Sequence, residues 1–205
     1  INVDISDYGI NEKLHNILRS DILRYNLLYN IGGVWSDFDV LWLRPIEKLF
    51  ELKSLGKVPT KDFGTFVCRN KWNTEFNNIS ILISARKHPL YKKLIDTCMK
   101  IQDDCKNTDT LQHQAFGTTM LDNLWQTAQQ TIEEFNDVVA FPYYTFYPYS
   151  IFKLEELYKQ TKVEKALQPE TIALHWWFGH KYSKEYVNGE NKEDCSMRRI
   201  VELIN

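Results

Sequence analysis

Asp37 and Asp39 stand one residue apart inside the otherwise apolar run Val34-Trp-Ser-Asp-Phe-Asp-Val-Leu-Trp-Leu43. Ionised carboxylates are costly to bury without a partner, so a pair in such surroundings calls for a cation. Oxygen ligands suit the hard divalent ions Mg²⁺ and Mn²⁺. The Val, Trp, Phe and Leu content predicts an extended segment over 34–43. There, side chains two apart share a face with Cα atoms roughly 6.5 Å apart, so one ion, with the ligand it carries, sits over both carboxylates.

Other residues could do chemistry around this pair. Asp21 and Arg24 lie three apart on one face of a helical pattern and read as an intrahelical ion pair. Asn78 reads as a turn amide at the start of a β-type run. His175 falls in Thr171-Ile-Ala-Leu-His-Trp-Trp177, a buried-strand pattern, where a lone histidine is either a hydrogen-bonded core residue or a ligand. As a ligand its imidazole would favour Mn²⁺ over Mg²⁺, and His180 is an alternative for that place. Trp176, Trp177 and the aromatic stretch Phe141 to Tyr149 offer flat faces for a sugar or a base, or simply core packing.

These residues need elements to hold them. Leu14, Leu18, Ile22, Tyr25, Leu28 and Tyr29 recur at three-to-four spacing, which predicts a helix over 11–30 that ends at Gly32-Gly33 and leads straight into the acidic strand. Short helices are predicted over 46–53 and 118–130, one starting at Pro89, and one over 154–167. Strands are predicted over 63–68, 79–83, 138–141 and 171–177, and a mobile polar loop over 183–194. Strands alternating with helices give an α/β class in one domain, 1–205.

Composition removes several function classes. With 25 basic and 27 acidic residues in 205, net charge −2, no broad positive field favours nucleic acid or an anionic membrane. The longest apolar runs, such as Ile79 to Ile83, are too short to span a bilayer. The chain opens on Ile1 rather than Met, which leaves room for an upstream anchor or signal. Cys68, Cys98, Cys105 and Cys195 lack the spacing of a zinc site, so free thiols and a reducing, cytoplasmic setting are expected.

Ser20-Asp-Ile-Leu-Arg-Tyr25, Leu28-Tyr29, Gly32-Gly-Val-Trp-Ser-Asp-Phe-Asp-Val40 and Arg44-Pro45 together resemble the central motif of the DXD-containing, sugar-binding glycosyltransferases. That group includes capsular-polysaccharide transferases, initiating mannosyltransferases and α-1,4-galactosyltransferases. Asn77 to Ala85, Phe116-Gly117-Thr118, Phe146-Tyr147-Pro148 and Ala173 to Trp177 match later elements in the same order, so the resemblance covers residues 11 to 180. Ser36 stands where Tyr or Leu is usual, and Thr118 where Pro is usual. Only 36 residues precede Asp37, fewer than the upstream strand and helix that help hold the base in that family.

The resemblance implies a GT-A-like fold, with a mixed, mostly parallel central sheet flanked by helices. It implies a transferase moving a hexose or deoxyhexose from a UDP- or GDP-sugar to the hydroxyl of a glycan or protein-linked acceptor, with retained configuration. Asp39 would ligate Mn²⁺ or Mg²⁺ with His175 as a further ligand, and Asp37 would contact ribose, sugar or a metal-bound water. Asp21, Arg24, Asn78 and Trp177 would contact the donor sugar. Two alternatives are a phosphohydrolase with Asp37 as nucleophile, although Val40-Leu41 replace the Gly-Thr expected there, and a non-catalytic sugar-binding module.

Overall fold

The first helix ends at Gly32 as the sequence predicts, but begins at Asn16, capped by His15, rather than at residue 11. In the computed structural model, which describes residues 5–54, 65–69, 77–131, 138–191 and 194–204, the elements run α1 (Asn16–Asn30), β1 (Gly33–Ser36), β2 (Val40–Trp42), α2 (Lys48–Ser54), β3 (Thr65–Arg69), β4 (Asn77–Ser84), α3 (Pro89–Asp104), α4 (Thr118–Thr131), β5 (Val138–Phe141), α5 (Glu155–Tyr158), β6 (Ala173–His175), α6 (Lys181–Val187) and α7 (Ser196–Ile204). They form two compact units, Ile1–Trp35 with Lys61–Ala140, and Ser36–Thr60 with Phe141–Asn205.

In the first unit, α1 turns Leu18, Ile22, Tyr25 and Leu28 into a core shared with Leu90, Leu94 and Cys98 of α3 and with Phe116, Met120 and Leu121. Pro89 opens α3 at the position where its missing N–H costs nothing, and His88 Nδ1 accepts from Leu90 N–H. Gly32 ends α1 in a left-handed conformation, φ +77°, and its N–H returns to the Leu28 carbonyl at 2.9 Å. The strands order as β1-β4-β3-β5. β3 and β4 pair antiparallel, with a register shift between Phe66 and Cys68. Residues 63 and 64 of the strand predicted over 63–68 lie outside the described residues.

In the second unit, β2 and β6 pair antiparallel with Val40 opposite His175, Leu41 opposite Leu174 and Trp42 opposite Ala173. The other side of β6 is also occupied, because Ile172 N–H donates to Thr145 O and His175 N–H to Phe146 O. Leu174, Tyr149, Leu157, Tyr158 and Ile200 build the core. Arg44 reaches across to the carbonyls of Leu167, Gln168 and Thr171 and secures the approach to β6. The class is therefore mixed α/β, and both strand pairs with a defined register run antiparallel.

Several predicted elements differ, and the strand predicted over 171–177 is confined to Ala173–His175. The helix expected over 154–167 stops at Tyr158, because the carbonyls that would continue it are taken by tertiary donors. Tyr149 Oη donates to Lys162 O, and the Ser196 hydroxyl lies among the carbonyls of Glu156, Gln160 and Lys162. The first five residues of the polar stretch 183–194, expected as a mobile loop, are helical in α6. His180 Nδ1 caps that helix by accepting from Tyr182 N–H, and the buried Ser183 hydroxyl donates to Trp176 O. Residues 192 and 193 lie outside the described residues.

Buried phenols give this structure an alkaline limit. Burial pushes Tyr149 up to about 12, and it pushes Tyr158 and Tyr25 higher still. A raised pKa means the contribution is complete below pH 10, the value for an exposed phenol, and disappears as pH climbs through the folded-state value. Tyr149 alone is expected to remove about 2 kcal/mol by pH 12. Thermal melts between pH 9 and about 12 should fall steeply, and Tyr149→Phe should flatten that slope; an unchanged slope in the variant would reassign the effect.

Candidate metal and donor site

Asp37, Phe38 and Asp39 do not continue a strand. They form a tight turn between β1 and β2, closed by Val40 N–H donating to Asp37 O at 3.3 Å, so the extended segment predicted over 34–43 is interrupted at its acidic centre. Aspartates favour turns because their carboxylates compete with the ladder for backbone donors. Asp37 and Asp39 consequently lie on one turn rather than on one strand face.

The turn places Asp39 beside the end of β6. Trp176 N–H donates to Asp39 O at 2.9 Å and extends the β2–β6 ladder by one bond. Asp39 Oδ1 then lies 3.1 Å from His175 Nε2, and Asp39 Oδ2 accepts from Phe178 N–H at 3.0 Å. That second donor exists because Trp177 takes a left-handed backbone, φ +57°, rare for a bulky side chain and a conformation found at functional sites. Burial alone would raise the Asp39 carboxyl, but the His175 hydrogen bond and charge and the Phe178 N–H outweigh it and hold the group below the usual carboxylate range. Asp39 is thus ionised in the native protein, and its contribution to stability is lost only as pH falls through that lowered value.

His175 is 4% exposed, with its ring packed against Trp177 at 4.0 Å and Tyr147 at 5.5 Å between centroids. Its Nδ1 is buried without a hydrogen-bond partner. The donor set suits a divalent cation. A carboxylate oxygen and an imidazole nitrogen, here joined by a hydrogen bond at 3.1 Å, are both ligand types that Mn²⁺ accepts. Among the described residues no third His, Cys, Asp or Glu completes a metal-binding group, so Asp37 does not join this pair. An ion held by one or two protein ligands takes the rest from phosphate and water. His180, the alternative ligand, uses Nδ1 as the cap of α6.

Trp177 is half-buried, its indole N–H donating to Tyr149 O at 3.3 Å. In the first unit, Asp21 and Arg24 are buried and ion-paired at 3.1 Å, Arg24 also donates to Ile79 O at 2.7 Å, and its guanidinium lies over Trp35. Gly117 allows this packing: a Cβ there would fall 2.8 Å from Ile79 Cδ1 and 3.0 Å from Asp21 Oδ2. Asn78 is half-buried on β4, opposite Cys68.

The backbone N–H of Phe178 was not legible as a carboxylate partner, since backbone donors carry no residue-type signal. Phe38 departs from the sequence-based expectation. Its type suggests burial, yet it is 78% exposed on the turn.

Residues 5–56 match the family model described as the glycosyltransferase sugar-binding region containing the DXD motif. This segment carries Asp21, Arg24, Asp37 and Asp39, and the match supports a DXD-containing glycosyltransferase family and a general role in glycosyl transfer. No curated protein and no solved structure matches the chain. Among the described residues no helix is long and apolar enough to cross a membrane.

Proposed function

We propose that the chain is a metal-dependent glycosyltransferase, transferring a hexose or deoxyhexose from a UDP- or GDP-sugar to a glycan or protein-linked hydroxyl with retention. The observation that carries this reading is the Asp39–His175 pair: an ionised carboxylate and an imidazole 3.1 Å apart, inside a chain whose DXD segment matches a sugar-binding region.

Asp39 and His175 would hold Mn²⁺, or Mg²⁺ as the alternative, and Asp37 would contact ribose or a metal-bound water. The bound ion would neutralise charge building on the departing diphosphate. The chain's own contribution is orientation. The ladder bond from Trp176 and the Phe178 N–H fix both the backbone and the carboxylate of Asp39. Fixed groups need no reorganisation when charge develops, which is how preorganised sites lower a barrier. The packed rings of Trp177 and Tyr147 exclude water from His175 and strengthen its interaction with Asp39.

The test is release of nucleoside diphosphate from a panel of UDP- and GDP-sugars, with Mn²⁺ and with chelator. Turnover that requires Mn²⁺ supports the reading, and turnover indifferent to chelator refutes it. His175→Ala is expected to weaken Mn²⁺ affinity at least tenfold while costing about 1–3 kcal/mol of stability. Unchanged metal affinity in a destabilised variant would make His175 a core residue only.

A further inference from the structure

Ser36 stands immediately before the acidic turn and bridges it to β2. Its hydroxyl accepts from the Trp42 indole N–H at 3.3 Å and donates to the Asp37 carbonyl at 3.2 Å. The direction of this chain of bonds is forced. An indole nitrogen only donates and a carbonyl only accepts, so the hydroxyl takes the first bond on a lone pair and places its single proton in the second. Trp42 is itself anchored. It sits in β2 opposite Ala173, and its ring meets the buried Phe146 edge to face at 6.3 Å between centroids. Phe146 also supplies the carbonyl that accepts from His175 N–H.

The Asp37 carbonyl therefore receives two donors, the Ser36 hydroxyl and Val40 N–H, one for each lone pair of its oxygen. That oxygen lies in the rigid peptide plane joining residues 37 and 38, so two donors fix the plane and with it the bend between the two aspartates. We propose that Ser36 and Trp42 are positioning residues for the acidic turn: the indole-to-hydroxyl-to-carbonyl chain sets where Asp37 stands relative to Asp39. Neither side chain touches a ligand in this role. That the turn serves a nucleotide sugar rests on the transferase reading; the brace on the turn does not.

The experiment compares Ser36→Ala, Ser36→Thr and Trp42→Phe in the whole chain. Without metal or donor, hydrogen exchange of the Val40 amide, which shares the Asp37 carbonyl, should quicken about fivefold in Ser36→Ala and in Trp42→Phe. Ser36→Thr keeps the hydroxyl and should exchange at the parental rate. With Mn²⁺ and a nucleotide sugar that the parent turns over, KM for the sugar should rise about fivefold in the same two variants while kcat stays within about twofold, and Ser36→Thr should restore the parental KM. The double variant Ser36→Ala with Trp42→Phe should lose no more than the worse single one, because both act through one chain of bonds. The bonds of Ser36 are exposed, so its two variants should melt as the parent does. Parental exchange at Val40 in Ser36→Ala overturns the brace. Faster exchange with KM unchanged overturns the positioning role, and so does a Ser36→Thr variant that restores neither readout. If the parent turns over no nucleotide sugar the transferase reading fails, and the exchange rates still decide whether Ser36 and Trp42 hold the turn.

Discussion

Asp39→Asn is expected to lower Mn²⁺-dependent turnover of a nucleotide sugar by at least about 100-fold, the scale on which a single preorganised electrostatic group contributes. The change keeps the size and shape of the side chain, so the β2–β6 ladder and the turn over 37–39 should persist. It removes the negative charge, and with it most of the affinity for a divalent ion. It also creates a mismatch in hydrogen bonding. The two carboxylate oxygens now face His175 Nε2 and Phe178 N–H, and an amide offers an acceptor to one of these but an N–H₂ to the other. That mismatch should cost about 1–2 kcal/mol, a shift measurable by calorimetry without loss of the folded state. Calorimetric Mn²⁺ titration of parent and variant, beside the turnover assay, separates the two effects. Donor turnover at the parental rate in the Asp39→Asn variant would remove Asp39 from the mechanism.

Gly32→Ala is expected to destabilise the first unit by about 3 kcal/mol, more than an ordinary surface substitution. Two costs combine. A residue with a Cβ pays about 1–2 kcal/mol to adopt the left-handed backbone at φ +77°. The new Cβ would also fall 2.8 Å from Arg86 N and 3.1 Å from Ser84 O, both main-chain atoms that no rotamer change can move aside. Gly33→Ala is the internal control. Gly33 also has positive φ, +94°, but open space around its missing Cβ, so only the conformational cost applies. Thermal unfolding of both variants should show Gly32→Ala melting lower, by several degrees. Equal losses would mean that the close approach to Arg86 contributes nothing.

Much of the first unit could be read from local pattern. The stripe from Leu18 to Leu28, the glycine at the end of α1 and Pro89 at the start of α3 are short-range signals, and local rules decide helix ends. The second unit was less legible because its shape is set by groups far apart in the chain. Nothing near Tyr158 announces that Ser196 and Tyr149 will claim the carbonyls of residues 156 to 162. The candidate site shows both cases. Asp37, Asp39 and His175 stood out by residue type in apolar surroundings, but the turn that separates the aspartates was hidden by strand-forming neighbours. The partnership of Asp39 with His175 depends on the pairing of β2 with β6, and propensity cannot supply a long-range register.

That register has a mechanical meaning. β6 is bonded along both flanks, to Asp39 and β2 on one side and to the 145–146 segment on the other, while Arg44 ties down the chain just before it. The imidazole is therefore mounted on a strand with no free edge along which to slide. A slip of one position would turn its ring to the reverse side of the ribbon, away from the carboxylate. Alignment of the two groups is thus inherited from main-chain bonding rather than chosen among rotamers.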